Sequence, residues 1–160
     1  MRASIGRSAA LGVQVWMLRR MDALGRRLGR GRRSADHLAI GLRGEREALF
    51  HLRRQGYTIV ARRWKSAKLL GDIDLIGWDG GQLCFVEVKT RMGRDAAAPA
   101  EAAVDDGKRE MLRRLARAYL RAFPEKLRRE IPVRFDIVSV YLSQPSGAEF
   151  DVCKGAFSRE

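Results

Sequence analysis

The chain has 160 residues, 46 % hydrophobic and 32 % charged. That size and balance suit one domain with its own core, and they exclude a collagen, a coiled-coil rod or a wholly disordered chain. Two cysteines, Cys84 and Cys153, and two histidines, His37 and His51, are too few for a disulfide framework, a four-cysteine zinc site or a histidine-rich metal centre. The net charge is +13, which points to an anionic partner, nucleic acid first. The excess of Arg over Lys, 26 to 6, is also what GC-rich coding would produce.

Residues 1–36 hold nine Lys/Arg against two Asp/Glu and read as a basic N-terminal arm, set apart from a domain over 37–160. Met17, Met21, Leu24 and Leu28 recur at helical spacing. Three readings stay open: an arm that touches phosphates, a surface-seeking helix, or a tail ahead of a later start at Met17 or Met21. With so much charge and so little to bury, residues 1–34 are expected to be poorly ordered. The apolar run near the start is broken by Gly12 and Gln14 and is too short to span a bilayer. No secretory signal pattern stands out, so a cytoplasmic protein without a membrane span is expected.

A helix is predicted over Ala35–Gln55, with Leu42, Glu45, Leu49 and Leu52 on one stripe and Gly56 closing it. Strands are predicted over Tyr57–Arg63, Asp72–Trp78 and Gln82–Thr90, the last two joined at Asp79-Gly80-Gly81. Residues 91–100 read as a loop. A longer helix over Ala100–Phe123 follows, with Met111, Leu112, Leu115, Tyr119 and Phe123 toward the core and Pro124 ending it. Val133–Leu142 reads as a fourth strand and Glu149–Cys153 as a short edge strand.

The second and third strands carry the chemistry. If the turn is the two-residue Gly80-Gly81, Asp79 stands opposite Gln82, whereas a three-residue turn would shift the register by one unless a bulge restored it. Counting back along both strands then sets Asp74 opposite Glu87, with Lys89 on the same face. Ile73, Leu75, Val86 and Val88 fall on the other face as a core set. Like charges directly opposed across a ladder destabilise it, and a cation between them removes that cost. Mg²⁺ takes oxygen ligands and is commonly held by one or two carboxylates plus waters. Lys89 would then orient a water or stabilise charge on a phosphate. The plainer reading is a surface hairpin in which Lys89 bridges two solvated acids. Glu45 has two readings as well. It is a carboxylate in an apolar stripe that needs a partner, or an acid near a helix start that stays solvated.

Several strings follow one another in order: Gly44-Glu45 with Ala48, Gly56-Tyr57, Gly71-Asp72-Ile73-Asp74-Leu75-Ile76, Phe85-Val86-Glu87-Val88-Lys89-Thr90-Arg91, Arg134-Phe135-Asp136 and Ala156-Phe157. Over residues 38–158 this series resembles the YraN-like bacterial family, itself similar to Holliday junction resolvases of the restriction-endonuclease-like superfamily. The D…E-x-K signature alone is weak; the ordered series is specific. The resemblance implies an α/β fold, a restriction-endonuclease-like mixed β-sheet flanked by helices. It also implies a metal-dependent endonuclease acting on DNA, branched or flapped among the candidates. Asp74 and Glu87 match the metal-binding acids, Lys89 the catalytic lysine and Glu45 the first-helix acid, with Mg²⁺ or Mn²⁺ as cofactor. Asp72 replaces the family's usual Glu, and Arg63 stands where Asn is usual.

Basic candidates for nucleic-acid contact are Arg63, Lys65, Arg91, Arg109 and Arg113. Arg109 and Arg113 begin a stripe of step four that continues through Arg117 and Arg121 and would equally suit a solvated face. Trp64 could stack on a base or pack at a strand end. His51, Cys84 and Asp136 read as structural. DNA is the expected partner, a homodimer follows by analogy, and no small-molecule cofactor is expected. The alternatives are a non-catalytic nucleic-acid-binding module of the same fold, or a partner-binding protein with a basic arm.

Overall fold

A computed structural model describes residues 35–94, 104–143 and 147–159. The chain divides into Met1–Arg33 and Ser34–Glu160. The expected basic arm therefore lies, up to Ser34, outside the described residues.

Helix α1 spans Ala35–Arg54. Its C-terminal turn closes with Gly56 N–H donating to Arg53 O at 3.0 Å and Tyr57 N–H to Leu52 O at 3.0 Å. Gly56 takes φ +93°, a left-handed conformation that costs a glycine little. Ala48, Leu49 and Leu52 are buried, whereas Leu42 is 39 % exposed. The expected stripe is thus too wide at its start: the line that faces the sheet runs through Glu45, Ala48 and Leu52, and Leu42 falls to one side of it.

Strand β1 spans Thr58–Trp64, β2 Ile73–Asp79, β3 Gln82–Met92, β4 Val133–Ser143 and β5 Gly147–Phe157. They form one five-stranded sheet in the order β1-β2-β3-β4-β5. β3 and β4 run parallel and the other neighbours antiparallel. The parallel step needs a crossover, made by helices α2 (Asp106–Leu120) and α3 (Glu125–Glu130). The chain is thus α/β with a mixed sheet flanked by helices, the architecture expected of a restriction-endonuclease-like fold.

Alternation along the strands divides the core into two layers. Leu75, Val86, Val88 and Val138 pack with Ala48 and Leu52 of α1. Phe85 points the other way and meets Tyr119 of α2 edge-on, with centroids 5.7 Å apart. Trp64 also packs edge-on against Tyr119, at 5.3 Å, which assigns it to strand-end packing.

Three boundaries differ from expectation. β3 runs on to Met92 because Arg91 and Met92 pair with Tyr141 and Leu142 of β4, so the predicted loop begins later. α2 begins at Asp106 rather than near Ala100, because the Asp105 side chain accepts the Lys108 N–H at 2.8 Å and caps it there. β5 reaches Phe157 rather than Cys153, because it pairs along β4 and crosses a bulge opposite Phe135–Ile137. The short α3 after Pro124 has no counterpart in the sequence pattern.

Around Asp79 a polar cluster ties four strands and the α1–β1 connection together. Buried Asp136 accepts from Arg134 Nε at 2.7 Å, Gly155 N–H at 2.9 Å and Tyr57 Oη at 3.1 Å. Arg134 also bonds Asp79 and Gln82, each at 2.7 Å. A buried carboxylate so fully paired is structural, as Asp136 was expected to be. His51 stacks on Phe150 at 4.1 Å and Cys84 is buried in the core, both also structural.

Candidate metal centre

The β2–β3 hairpin turns at Gly80-Gly81, with Gly80 at φ +58° and Asp79 paired with Gln82. The register continues through Ile76↔Phe85 to Leu75↔Val86. The ladder ends at that pair, and the alternation of the strands carries Asp74 and Glu87 to the face away from Leu75, Val86 and Val88. Beyond the last ladder pair, the Val88 N–H donates to Asp74 Oδ2 at 2.7 Å. The carboxylate is therefore fixed by the β3 backbone rather than free in solvent.

Glu87 is 3 % exposed. Its Oε1 meets two ammonium groups, Lys89 Nζ at 3.1 Å and Lys108 Nζ at 3.0 Å. Its Oε2 is buried with no hydrogen-bond partner among the described residues. Glu45 reaches the same neighbourhood from α1. Gly44 is what lets it do so: a Cβ there would collide with the Thr90 side chain, so the α1 backbone lies directly on β3. Glu45 Oε2 is also buried without a hydrogen bond, and Arg63 Nε stands 3.8 Å away.

The electrostatics agree with this crowding. Burial pushes Asp74 up to about 7; Glu87 and Glu45 add to the rise, while the Val88 N–H and Lys108 oppose it. Burial also raises Glu45, opposed by Arg63 and Arg62 and reinforced by Asp72 and Glu87. Three acids thus feel one another in a partly dry site. The reading of Asp74 and Glu87 as two solvated surface acids does not hold for Glu87, and Glu45 is not a freely solvated helix-start acid.

Among the described residues no set of three or more His, Cys, Asp or Glu side chains stands in a ready-made metal-binding group. The residues nevertheless fit a hard divalent cation. The donors are carboxylate oxygens only, two buried oxygens have no hydrogen bond among the described residues, and a carboxyl raised by a neighbouring carboxylate is relieved by a positive charge. Asp74 and Glu87 are the residues that would hold Mg²⁺ or Mn²⁺.

The basic candidates divide. Arg63 has φ +47°, a left-handed conformation that Asn adopts more readily than Arg. Its guanidinium faces Glu45. Lys65 stands 3.9 Å from Asp72 and is exposed. Arg91 lies half-buried on β3. Arg109 pairs with Asp106 at 3.7 Å and lies over the Phe157 ring at 5.9 Å. Arg113 donates to Ser158 O at 3.0 Å and lies over Phe157 at 5.5 Å. These last two lie against Phe157 and Ser158 at the end of β5. Sequence reasoning passed over Lys108, whose only signal is a lysine three residues after a helix-capping Asp.

The family model described as uncharacterised protein family UPF0102 matches residues 44–140. A UPF0102 protein of Koribacter versatilis is 54 % identical over 122 residues, 76 % of this chain and 81 % of that protein. One from Solibacter usitatus is 46 % identical over 131 residues, covering 82 % and 92 %. One from Rhodococcus opacus is 38 % identical over 123 residues, covering 77 % and 99 %. The matched span includes Glu45, Asp74, Glu87, Lys89 and Lys108.

Proposed function

The chain belongs to the UPF0102 family, and from its site we propose that it is a Mg²⁺- or Mn²⁺-dependent endonuclease that hydrolyses phosphodiester bonds in DNA, with branched and flapped DNA among the candidate substrates. The observation that carries this reading is Glu87: a buried carboxylate within electrostatic reach of Asp74, with one oxygen on two lysines and the other without a hydrogen bond among the described residues. A pure nucleic-acid-binding surface gains nothing from opposed acids, which repel phosphate.

A bound cation would supply Lewis-acid stabilisation of the phosphate and a water acidic enough to attack near neutral pH. The chain's residues do the rest. Asp74, held by the Val88 N–H, and Glu87 fix the position of that charge. Lys89 shares the Glu87 face, and its ammonium stabilises negative charge as it develops on the phosphate. Glu45 and Arg63 close the α1 side of the site. Lys65, exposed next to Asp72, offers a phosphate contact. A DNA substrate places the protein in the cytoplasm, and among the described residues no helix is long and apolar enough to cross a membrane. Two copies would place one site on each strand of a symmetric branch, so a homodimer belongs to this reading.

The test is a panel of linear, flapped and four-way DNA incubated with Mg²⁺, Mn²⁺ or chelator, using the full chain and Glu87→Gln. Metal-dependent cutting of at least one substrate, lost in Glu87→Gln, is expected. Tight binding to the panel with no cutting under either metal would favour the non-catalytic binding module instead.

A further inference from the structure

Two lysines share one oxygen of Glu87, and they reach it differently. Lys89 lies two residues on along β3, on the same face, and moves with Glu87 as one piece of sheet. Lys108 comes from the first turn of α2 and crosses to the sheet, ending 3.0 Å from Glu87 Oε1. Its side chain is 27 % exposed, so its flexible stem has a path outward. Its ammonium also opposes the rise in Asp74, which puts it within electrostatic reach of both acids that the proposed metal would use.

We propose that Lys108 is the internal counter-ion of the site. It holds Glu87 while no divalent cation is present and gives up that oxygen when one binds. This rests on the metal-dependent reading above and names how the site is kept folded and poised without its metal. A buried carboxylate pair cannot stand uncompensated. Lys108 supplies the compensation at the expense of metal affinity, since a cation entering beside Glu87 must overcome an ammonium already there. Lys108 is therefore a positioning residue of the metal-free site and sets how much Mg²⁺ is needed to load it.

The test uses the full chain without nucleic acid. Mg²⁺ and Mn²⁺ affinity is measured by calorimetry, and the thermal midpoint in chelator is recorded, for the parent, Lys108→Met and Lys108→Arg. Lys108→Met keeps the apolar stem and removes the charge. It is expected to bind metal roughly tenfold more tightly, within the usual range for coupling between two sites, while its metal-free midpoint drops by several degrees. Lys108→Arg keeps the charge and is expected to track the parent in both readouts. In a Glu87→Gln background, Lys108→Met should no longer lower the midpoint, which isolates the pair. A folded Lys108→Met that binds metal no more tightly than the parent would overturn the proposal. If neither parent nor Lys108→Met binds metal, the metal-dependent reading fails and displacement fails with it. The midpoint cycle then separates the two failures, because the Lys108–Glu87 coupling is visible there without metal. Absence of that coupling overturns the counter-ion role itself.

Discussion

Asp74→Asn offers the sharpest measurement on this protein, because burial and Glu87 push the Asp74 carboxyl up to about 7 from an ordinary 3.8. Well below pH 3.8 the group is protonated in both folded and unfolded chains and contributes nothing to the pH dependence. Between pH 4 and 7 the unfolded chain releases the proton and the folded chain keeps it. Stability therefore falls as pH rises through this window and levels off above it. A gap of this width is worth about 4 kcal/mol at full development. Asparagine keeps an oxygen for the Val88 N–H and carries no charge, so it removes this dependence. Urea unfolding in chelator from pH 4 to 8.5 measures it. The stability of Asp74→Asn minus that of the parent should grow from near zero at pH 4 to about 2–4 kcal/mol at pH 8. Saturating Mg²⁺ should return most of the loss to the parent and little to the variant. A difference that stays constant with pH would refute the reasoning, since it would mean that Asp74 titrates alike in both states.

Lys89→Ala should slow DNA cleavage about a hundredfold to a thousandfold without weakening DNA or Mg²⁺ binding; single-turnover cutting beside calorimetry checks both halves. Arg134→Met should cost about 3–5 kcal/mol in chemical denaturation, because it strands the buried Asp136 carboxylate, and a cost under about 1 kcal/mol would mean that Tyr57 and the Gly155 N–H suffice for it. Gly44→Ala should cost about 1–3 kcal/mol by overpacking against Thr90 and should disturb metal binding through Glu45. Thr90→Ala in the same chain should restore part of that stability.

Sequence reasoning reached the hairpin because its rules are local. A two-residue glycine turn fixes the register, and period-two alternation then decides which side chains share a face, so Asp74, Glu87 and Lys89 could be brought together on paper. The Schellman closure at Gly56 and the buried Leu49 and Leu52 follow from equally short-range patterns. Spacing alone does not fix the helix stripe, since Leu42 and Glu45 differ by less than a turn and only the sheet beneath shows which is covered.

Within the described residues, local pattern alone accounts for the pairing of β2 with β3, the two-sided patterning of those strands and the acids and lysine on one side. Those properties depend on neighbours a few residues apart. The packing of distant elements buries Glu87, brings Lys108 from 21 residues downstream to share its oxygen, and lets α1 lie on Thr90 at Gly44 and deliver Glu45. It also brought Arg109 and Arg113 against Phe157 at the end of β5. Each of these depends on how α1, α2 and β5 dock on the sheet, and docking is set by the summed burial of many side chains, which no single spacing records.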